Sequence, residues 1–169
     1  MWGKTYQRGN IEKSLIEEQF LPQYLKKILQ DSTKIIFITI FDDGSSYADK
    51  MFPIMAKKGL KINLKGKYRW SYLAIFSNHK VYFEKASKNT MLAKRLIINN
   101  LPVYISSFGN NIREDGDYSR IIIDKKEYSS NQRGWNIAIF DTKTNEAVDA
   151  FSVDVAGDES LKIVRLEEY

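Results

Sequence analysis

Two adjacent carboxylates and two separated arginines are the groups in this 169-residue chain best suited to chemistry. Asp42 and Asp43 close an apolar run and are followed by Gly44 and Ser45. Paired carboxylates in such a place can hold a cation or act as acid and base. They equally suit a turn and helix start, where carboxylates accept backbone N–H groups and meet the positive helix end. Arg69 and Arg133 each stand just before an apolar run, behind a turn rich in glycine, asparagine or glutamine. A guanidinium offers a planar fork of donors that fits vicinal hydroxyls or carboxylates. Taken singly, each arginine is also an ordinary sheet-end residue. Taken together, Arg69, Asp42 and Arg133 make a set in which charge-assisted hydrogen bonds can fix a ligand.

Aromatic residues flank those arginines: Tyr68, Trp70, Tyr72, Tyr128 and Trp135. The C–H faces of sugars stack on such rings, although core packing is the commoner use of an aromatic side chain. Met51, Met55 and Met91 read as core filler. His79, the single histidine, falls in a hairpin turn with no serine or cysteine nucleophile nearby, and reads as an exposed turn residue. No phosphate-cradling glycine loop, nucleophile elbow or zinc-protease helix motif occurs. No catalytic residue, metal site or cofactor is expected.

Composition narrows the classes further. Hydrophobic residues make 43% of the chain, enough for a core. Cysteine is absent, which excludes a disulfide framework and thiolate metal sites and agrees with a reducing compartment. The net charge is +5, yet 21 acidic residues are interspersed with the basic ones, so nucleic acid is not expected as a partner. No apolar run approaches the ~20 residues of a membrane span. Residues 1–10 carry no apolar signal-peptide core. The expected location is cytoplasmic, or virion- or cell-surface-associated if the chain is phage-encoded.

The elements that must position these residues follow from periodicity. Ile11 to Gln30 reads as an amphipathic helix, kinked or broken near Leu21 by Pro22. Lys34 to Phe41 is apolar on both alternating faces, as only a central strand tolerates. A helix from about Ser46 to Lys58 follows, capped by Ser45 or Ser46 and stopped by Gly59. Leu60, Ile62 and Leu64 alternate as a short edge strand or extended loop. Trp70 to Phe76 and Val81 to Lys85 form a hairpin. Ala86 to Asn100 reads as a short helix and turn. Strands are expected at Pro102–Ser107, Arg120–Asp124, Trp135–Asp141 and Ala147–Val153, with a last one over Leu161–Leu166. The fold class is α+β: a mainly antiparallel, two-sheet β domain with two or three helices. Residues 1–10 form an extension and 11–169 a single domain, with 86–101 a linker inside it.

The motifs resemble the interleukin-like EMT inducer domain, or GG domain. Residues 105–154 resemble its opening half through Ser106-Ser107-Phe108-Gly109, the Arg120 to Lys126 hairpin, Tyr128-Ser129, Arg133-Gly134-Trp135-Asn136, and Phe151 with Asp154. Residues 16–76 resemble its second half through the Leu15–Leu29 helix, Phe41-Asp42-Asp43-Gly44-Ser45, Lys58-Gly59 and Arg69-Trp70-Ser71-Tyr72. The order is reversed: 11–85 correspond to the family's second half and 102–169 to its first. A circular permutation bridged by 81–101 accounts for this, and a domain-swapped homodimer is the alternative.

The resemblance implies a compact β-sandwich used for binding. In the stem of the glycosyltransferase that adds N-acetylglucosamine to O-mannose, such a domain is non-catalytic and holds a sugar through an Arg, an Asp and an Arg. By motif these correspond to Arg133, Asp42 and Arg69. The function expected is lectin-like carbohydrate binding tied to bacterial or phage surface polysaccharide. Arg133, Asp42, Arg69, Asp43, Trp70, Trp135 and Tyr68 are the expected ligand-binding residues. A protein-interaction module, and an enzyme acting on a nucleotide or glycosyl phosphate, are the alternatives.

Overall fold

A computed structural model describes residues 7–8, 21–112, 114–116, 118–154 and 162–165. The strand of greatest consequence is β2 (Lys34–Asp42), buried along all of its length but the two ends. Its side chains alternate between two cores. Ile36, Ile38 and Ile40 join a cluster with Leu21, Leu25, Met51, Met55, Trp135, Ile137 and Ile139. Ile35 and Phe37 join a second with Leu73, Ile75, Val103, Ile105, Ile121, Ala138 and Phe140. A strand apolar on both faces therefore lies between two layers, each burial worth roughly 1.5–3 kcal/mol per large side chain.

Those layers are an outer sheet on one side and two helices on the other. The central sheet has β2 paired antiparallel with β3 (Ser71–Ser77) and with β9 (Gly134–Asp141). Beyond β3 lies β4 (Val81–Ser87), and beyond β9 lie β10 (Glu146–Asp154) and β11 (Lys162–Arg165). The outer sheet consists of β5 (Leu92–Ile98), β6 (Leu101–Gly109), β7 (Arg120–Ile123), β8 (Lys126–Glu127) and β1 (Gln7–Arg8). Helices α1 (Leu21–Ile28) and α2 (Ala48–Lys57) cover the other face of the central sheet. The two sheets join where β6 pairs in parallel with the end of β2. The fold is thus a mixed-sheet, β-rich α+β domain with two short helices among the described residues.

Several expectations are corrected. Helix α1 begins at Leu21, with Pro22 in its first turn, where a missing N–H costs nothing. The expected helix over 11–20 lies outside the described residues. Ser45 and Ser46 do not cap α2. They form a 3-10 turn with Tyr47, and the Ser45 hydroxyl bonds Asp43 instead. Residues 60–64 take the second of their two expected forms, an extended loop, and the Glu84 carboxylate accepts the N–H groups of Lys61 and Ile62 at 2.8 and 3.0 Å.

The largest correction is at 86–101, where strand β5 replaces the expected short helix and linker. Leu92, Leu96 and Ile98 face the inter-sheet core with period two. Asn99 and Asn100, both with left-handed backbones (φ 52° and 64°), then turn the chain directly into β6.

Candidate functional site

Register decides which residues share an end of the central sheet. Phe41 of β2 stands opposite Gly134 of β9, so Arg133 lies immediately beyond the ladder, beside Asp42. On the other flank β3 begins at Ser71, antiparallel to β2, so Arg69 and Trp70 reach the same end. Strand β6 arrives there too, with Asp42 opposite Gly109. Asp42, Arg69 and Arg133 come from segments far apart in sequence, and the fold brings their backbones to one mouth.

That mouth is held open by hydroxyls. The β2–β3 ladder runs from Ile35↔Ser77 to Thr39↔Leu73 and then stops. At the next step the Ser107 hydroxyl is inserted: it accepts the Tyr72 N–H at 2.9 Å and donates to the Ile40 carbonyl at 2.5 Å. Ser119 donates to the same carbonyl at 2.7 Å and accepts the Phe108 N–H at 3.2 Å. Ser71 accepts the Gly109 N–H at 2.9 Å. All three serines are buried. Their short polar side chains replace ladder bonds and let β6 enter between β2 and β3. Gly109 must lack a side chain, since a Cβ there would meet the Arg69 carbonyl oxygen at 2.2 Å and Trp70 and Ser71 backbone atoms at 2.5 and 2.6 Å.

Strain collects at the same place. Asp42 (φ 67°), Arg69 (φ 60°) and Asn131 (φ 53°) are left-handed residues without the freedom of glycine. Such conformations cost on the order of 1–3 kcal/mol each and persist where surrounding contacts hold them. Here the Asn110 N–H bonds the Asp42 carbonyl at 2.8 Å, and the Arg69 N–H bonds Asp43 Oδ1 at 2.8 Å. The Asn131 N–H bonds the Ser129 hydroxyl at 3.1 Å, and Asn131 Oδ1 accepts the Ser119 N–H at 2.9 Å. Asn136 fastens the loop before Arg133 by bonding the Gln132 N–H and carbonyl at 3.1 and 2.8 Å.

The expected site residues divide accordingly. Asp42 is half-buried, and its carboxylate has no hydrogen bond or ion pair among the described residues. Arg69 lays its guanidinium 4.8 Å from the centre of the Tyr68 ring, while its buried Nε makes no hydrogen bond among the described residues. Tyr68 is 58% exposed. Trp70 is half-buried with the Lys67 ammonium 5.1 Å from its ring centre. Arg133 is exposed at the rim.

Asp43 and Trp135 do different work. Asp43 spends Oδ1 on the N–H groups of Ser45 and Arg69 and Oδ2 on the Ser45 hydroxyl, so it builds the turn and anchors the Arg69 segment. Trp135 is a correction to the expected ring platform. It is 2% exposed, packs 6.2 Å from Tyr72, and donates its indole N–H to the Gly44 carbonyl at 3.0 Å. It offers no face to a ligand and supports the Asp42 turn from beneath.

Sequence reasoning did not single out the amides of the mouth, Asn110, Asn111, Asn131 and Gln132. Asn111 Nδ2 lies 3.4 Å from the Tyr68 carbonyl. A polar loop after the 106–109 segment was the only signal for the first two. At the chemical level the mouth brings together a carboxylate without a hydrogen bond among the described residues, the Arg69 guanidinium, the exposed Arg133, the exposed side chains of Asn111 and Gln132, and the exposed Tyr68 ring. Among the described residues no three His, Asp or Glu side chains converge as a metal site, and no helix is long and apolar enough to cross a membrane. Comparison of the chain with protein-family models, curated proteins and solved structures finds no match.

Proposed function

We propose that the chain is a non-catalytic carbohydrate-binding domain whose site is the mouth at the end of β2. The observation that carries the reading is the convergence there of Asp42, on a strained backbone and with no carboxylate hydrogen bond among the described residues, and Arg69 and Arg133 on the two flanking segments. Sugar recognition needs donors and acceptors fixed at the spacing of adjacent hydroxyls, beside a ring for the C–H face. In this reading the arginines donate to ligand hydroxyls and Asp42 accepts from one. Tyr68 and Trp70 supply the apolar face, and Asp43 and Trp135 hold the frame. The open site and few contacts give weak affinity, on the order of 10⁻⁴ M or about 5 kcal/mol.

The same proposal includes a GG-domain-like fold in permuted order, with the β4–β5 region bridging the family's old termini, and a setting in bacterial or phage surface-polysaccharide biology. Titration with mono- and disaccharides, comparing wild type with Arg69→Ala and Arg133→Ala, tests it. Binding by wild type alone, with all three proteins equally stable, is the expected result. Equal binding by the three proteins sinks the site. A lowered melting temperature without any sugar binding makes the cluster an ion network in a protein-interaction module.

A further inference from the structure

The charges gathered at the mouth do not cancel one another. Segments 42–44, 67–70, 109–111 and 131–134 carry Lys67, Arg69 and Arg133 against Asp42 and Asp43, an excess of one positive charge. The two carboxylates are not equivalent. Asp43 is occupied by the N–H groups of Ser45 and Arg69 and by the Ser45 hydroxyl. Asp42 shares the sheet end with Arg69, yet no ion pair among the described residues includes Asp42, Arg69 or Lys67. Glu114 and Asp115 come later in the loop after β6 and are exposed, where solvent and salt screen their charge.

The turn that carries the cations is fixed from several sides. Across it, the Trp70 N–H bonds the Lys67 carbonyl at 3.3 Å. Asp43 Oδ1 takes the Arg69 N–H at 2.8 Å, and Asn111 Nδ2 lies 3.4 Å from the Tyr68 carbonyl. Lys67 and Arg69 are both half-buried. Each rests on a ring: the guanidinium 4.8 Å from the centre of Tyr68, the ammonium 5.1 Å from the centre of Trp70. A ring face attracts a cation through its quadrupole and carries no net charge, so it holds these groups without neutralising them. A cation partly withdrawn from water with no counter-ion is unfavourable, and an anion arriving beside it offsets part of that penalty.

We propose, resting on the carbohydrate reading above, that the sugar held at the mouth is acidic: its carboxylate meets Arg69 and Lys67, and its ring hydroxyls reach Asp42. Both halves of the site select. A carboxylate accepts hydrogen bonds and donates none, so the partner of Asp42 must be a donor such as a hydroxyl. A ligand carboxylate matches the flat fork of the guanidinium and brings the single negative charge that the mouth lacks. A phosphate carries close to two charges at neutral pH and presses harder on Asp42.

The test is an amide NMR titration of the full chain with the methyl glycosides of glucuronic and galacturonic acid, those of glucose and galactose, glucose 6-phosphate, and acetate. At least one methyl uronide should bind about tenfold more tightly than its neutral counterpart, a difference of about 1.4 kcal/mol. Added salt should narrow that gap. Lys67→Gln should reduce the preference to about threefold or less, about 0.7 kcal/mol, and Lys67→Arg should retain it. Unchanged melting temperatures check that both variants fold. Equal affinity for acidic and neutral sugars overturns the charge assignment and leaves the sugar site standing. Acetate binding as tightly as the uronide overturns the pairing of a hydroxyl with Asp42, and tighter binding of glucose 6-phosphate overturns the carboxylate. A preference unchanged by Lys67→Gln also overturns the proposal. No binding of any sugar overturns the carbohydrate reading itself, and the acidic class with it.

Discussion

Replacing Ser107 by alanine removes one oxygen atom and should cost the domain about 2–3 kcal/mol. The hydroxyl links the Tyr72 N–H at 2.9 Å to the Ile40 carbonyl at 2.5 Å, in a buried position where no strand can substitute for it. An orphaned buried donor costs ~1–3 kcal/mol, and the lost bond to Ile40 adds at most ~1 kcal/mol. The second figure is small because Ser119 still serves the Ile40 carbonyl at 2.7 Å. For a domain of this size the sum lowers the melting temperature by roughly 4–12 °C. The double variant Ser107→Ala/Ser119→Ala leaves the Ile40 carbonyl with neither hydroxyl, so it should lose about 1 kcal/mol more than the two singles added. Urea unfolding of the four proteins, with two-state behaviour checked by two probes, measures both quantities. A cost below about 0.5 kcal/mol for Ser107→Ala, or strict additivity of the pair, would refute the view that hydroxyls stand in for ladder bonds at the split.

Two further outcomes follow from the frame. Gly109→Ala should destabilise by about 3 kcal/mol or more in thermal unfolding, because the new methyl meets backbone rather than a movable side chain. At the opposite end of the sheet, Lys34 bonds Asp141 at 2.8 Å and Asp31 at 2.9 Å. Hydrogen bonds from Thr33 and Lys34 hold the Asp31 carboxyl well below its usual range. Burial works against the Asp141 charge, but bonds from Lys34 and the Lys143 N–H outweigh it and lower its pKa. A lowered carboxyl pKa contributes stability that is complete above the unfolded value near ~4 and is lost as pH falls through the folded value. Unfolding free energy should therefore decline below about pH 4, and Asp141→Asn should flatten that decline, as acid titration of wild type and variant will measure.

Much of this frame could be read from residue order because it rests on local patterns. Lys34 to Phe41 and Trp135 to Asp141 are apolar on both faces, and both prove to be central strands buried on two sides. The arginines and the aspartate stand at strand ends, and antiparallel pairing of neighbours suffices to gather such ends. What escaped notice depends on partners far away in sequence. Trp135 looked available for stacking because its bond to Gly44 spans 91 positions. Asp43 looked available for a ligand because its bond to the Arg69 N–H spans 26. Strand β5 was hidden by its lysine and arginine, which interrupt the apolar alternation, and by an Asn-Asn turn that reads as a loop. The serines that split the sheet have side chains equally at home in turns, so nothing local marks Ser107 or Ser119 as wedges.

The most direct measurement of the central claim is a backbone amide NMR titration of the full chain with a disaccharide that it binds. If the mouth of β2 holds the sugar, shifts should concentrate at 42–44, 68–71, 109–111 and 131–134, and Asp42→Asn should remove them while the remaining spectrum stays folded. Shifts elsewhere on the sandwich, or the same shifts in Asp42→Asn and Arg69→Ala, would contradict it.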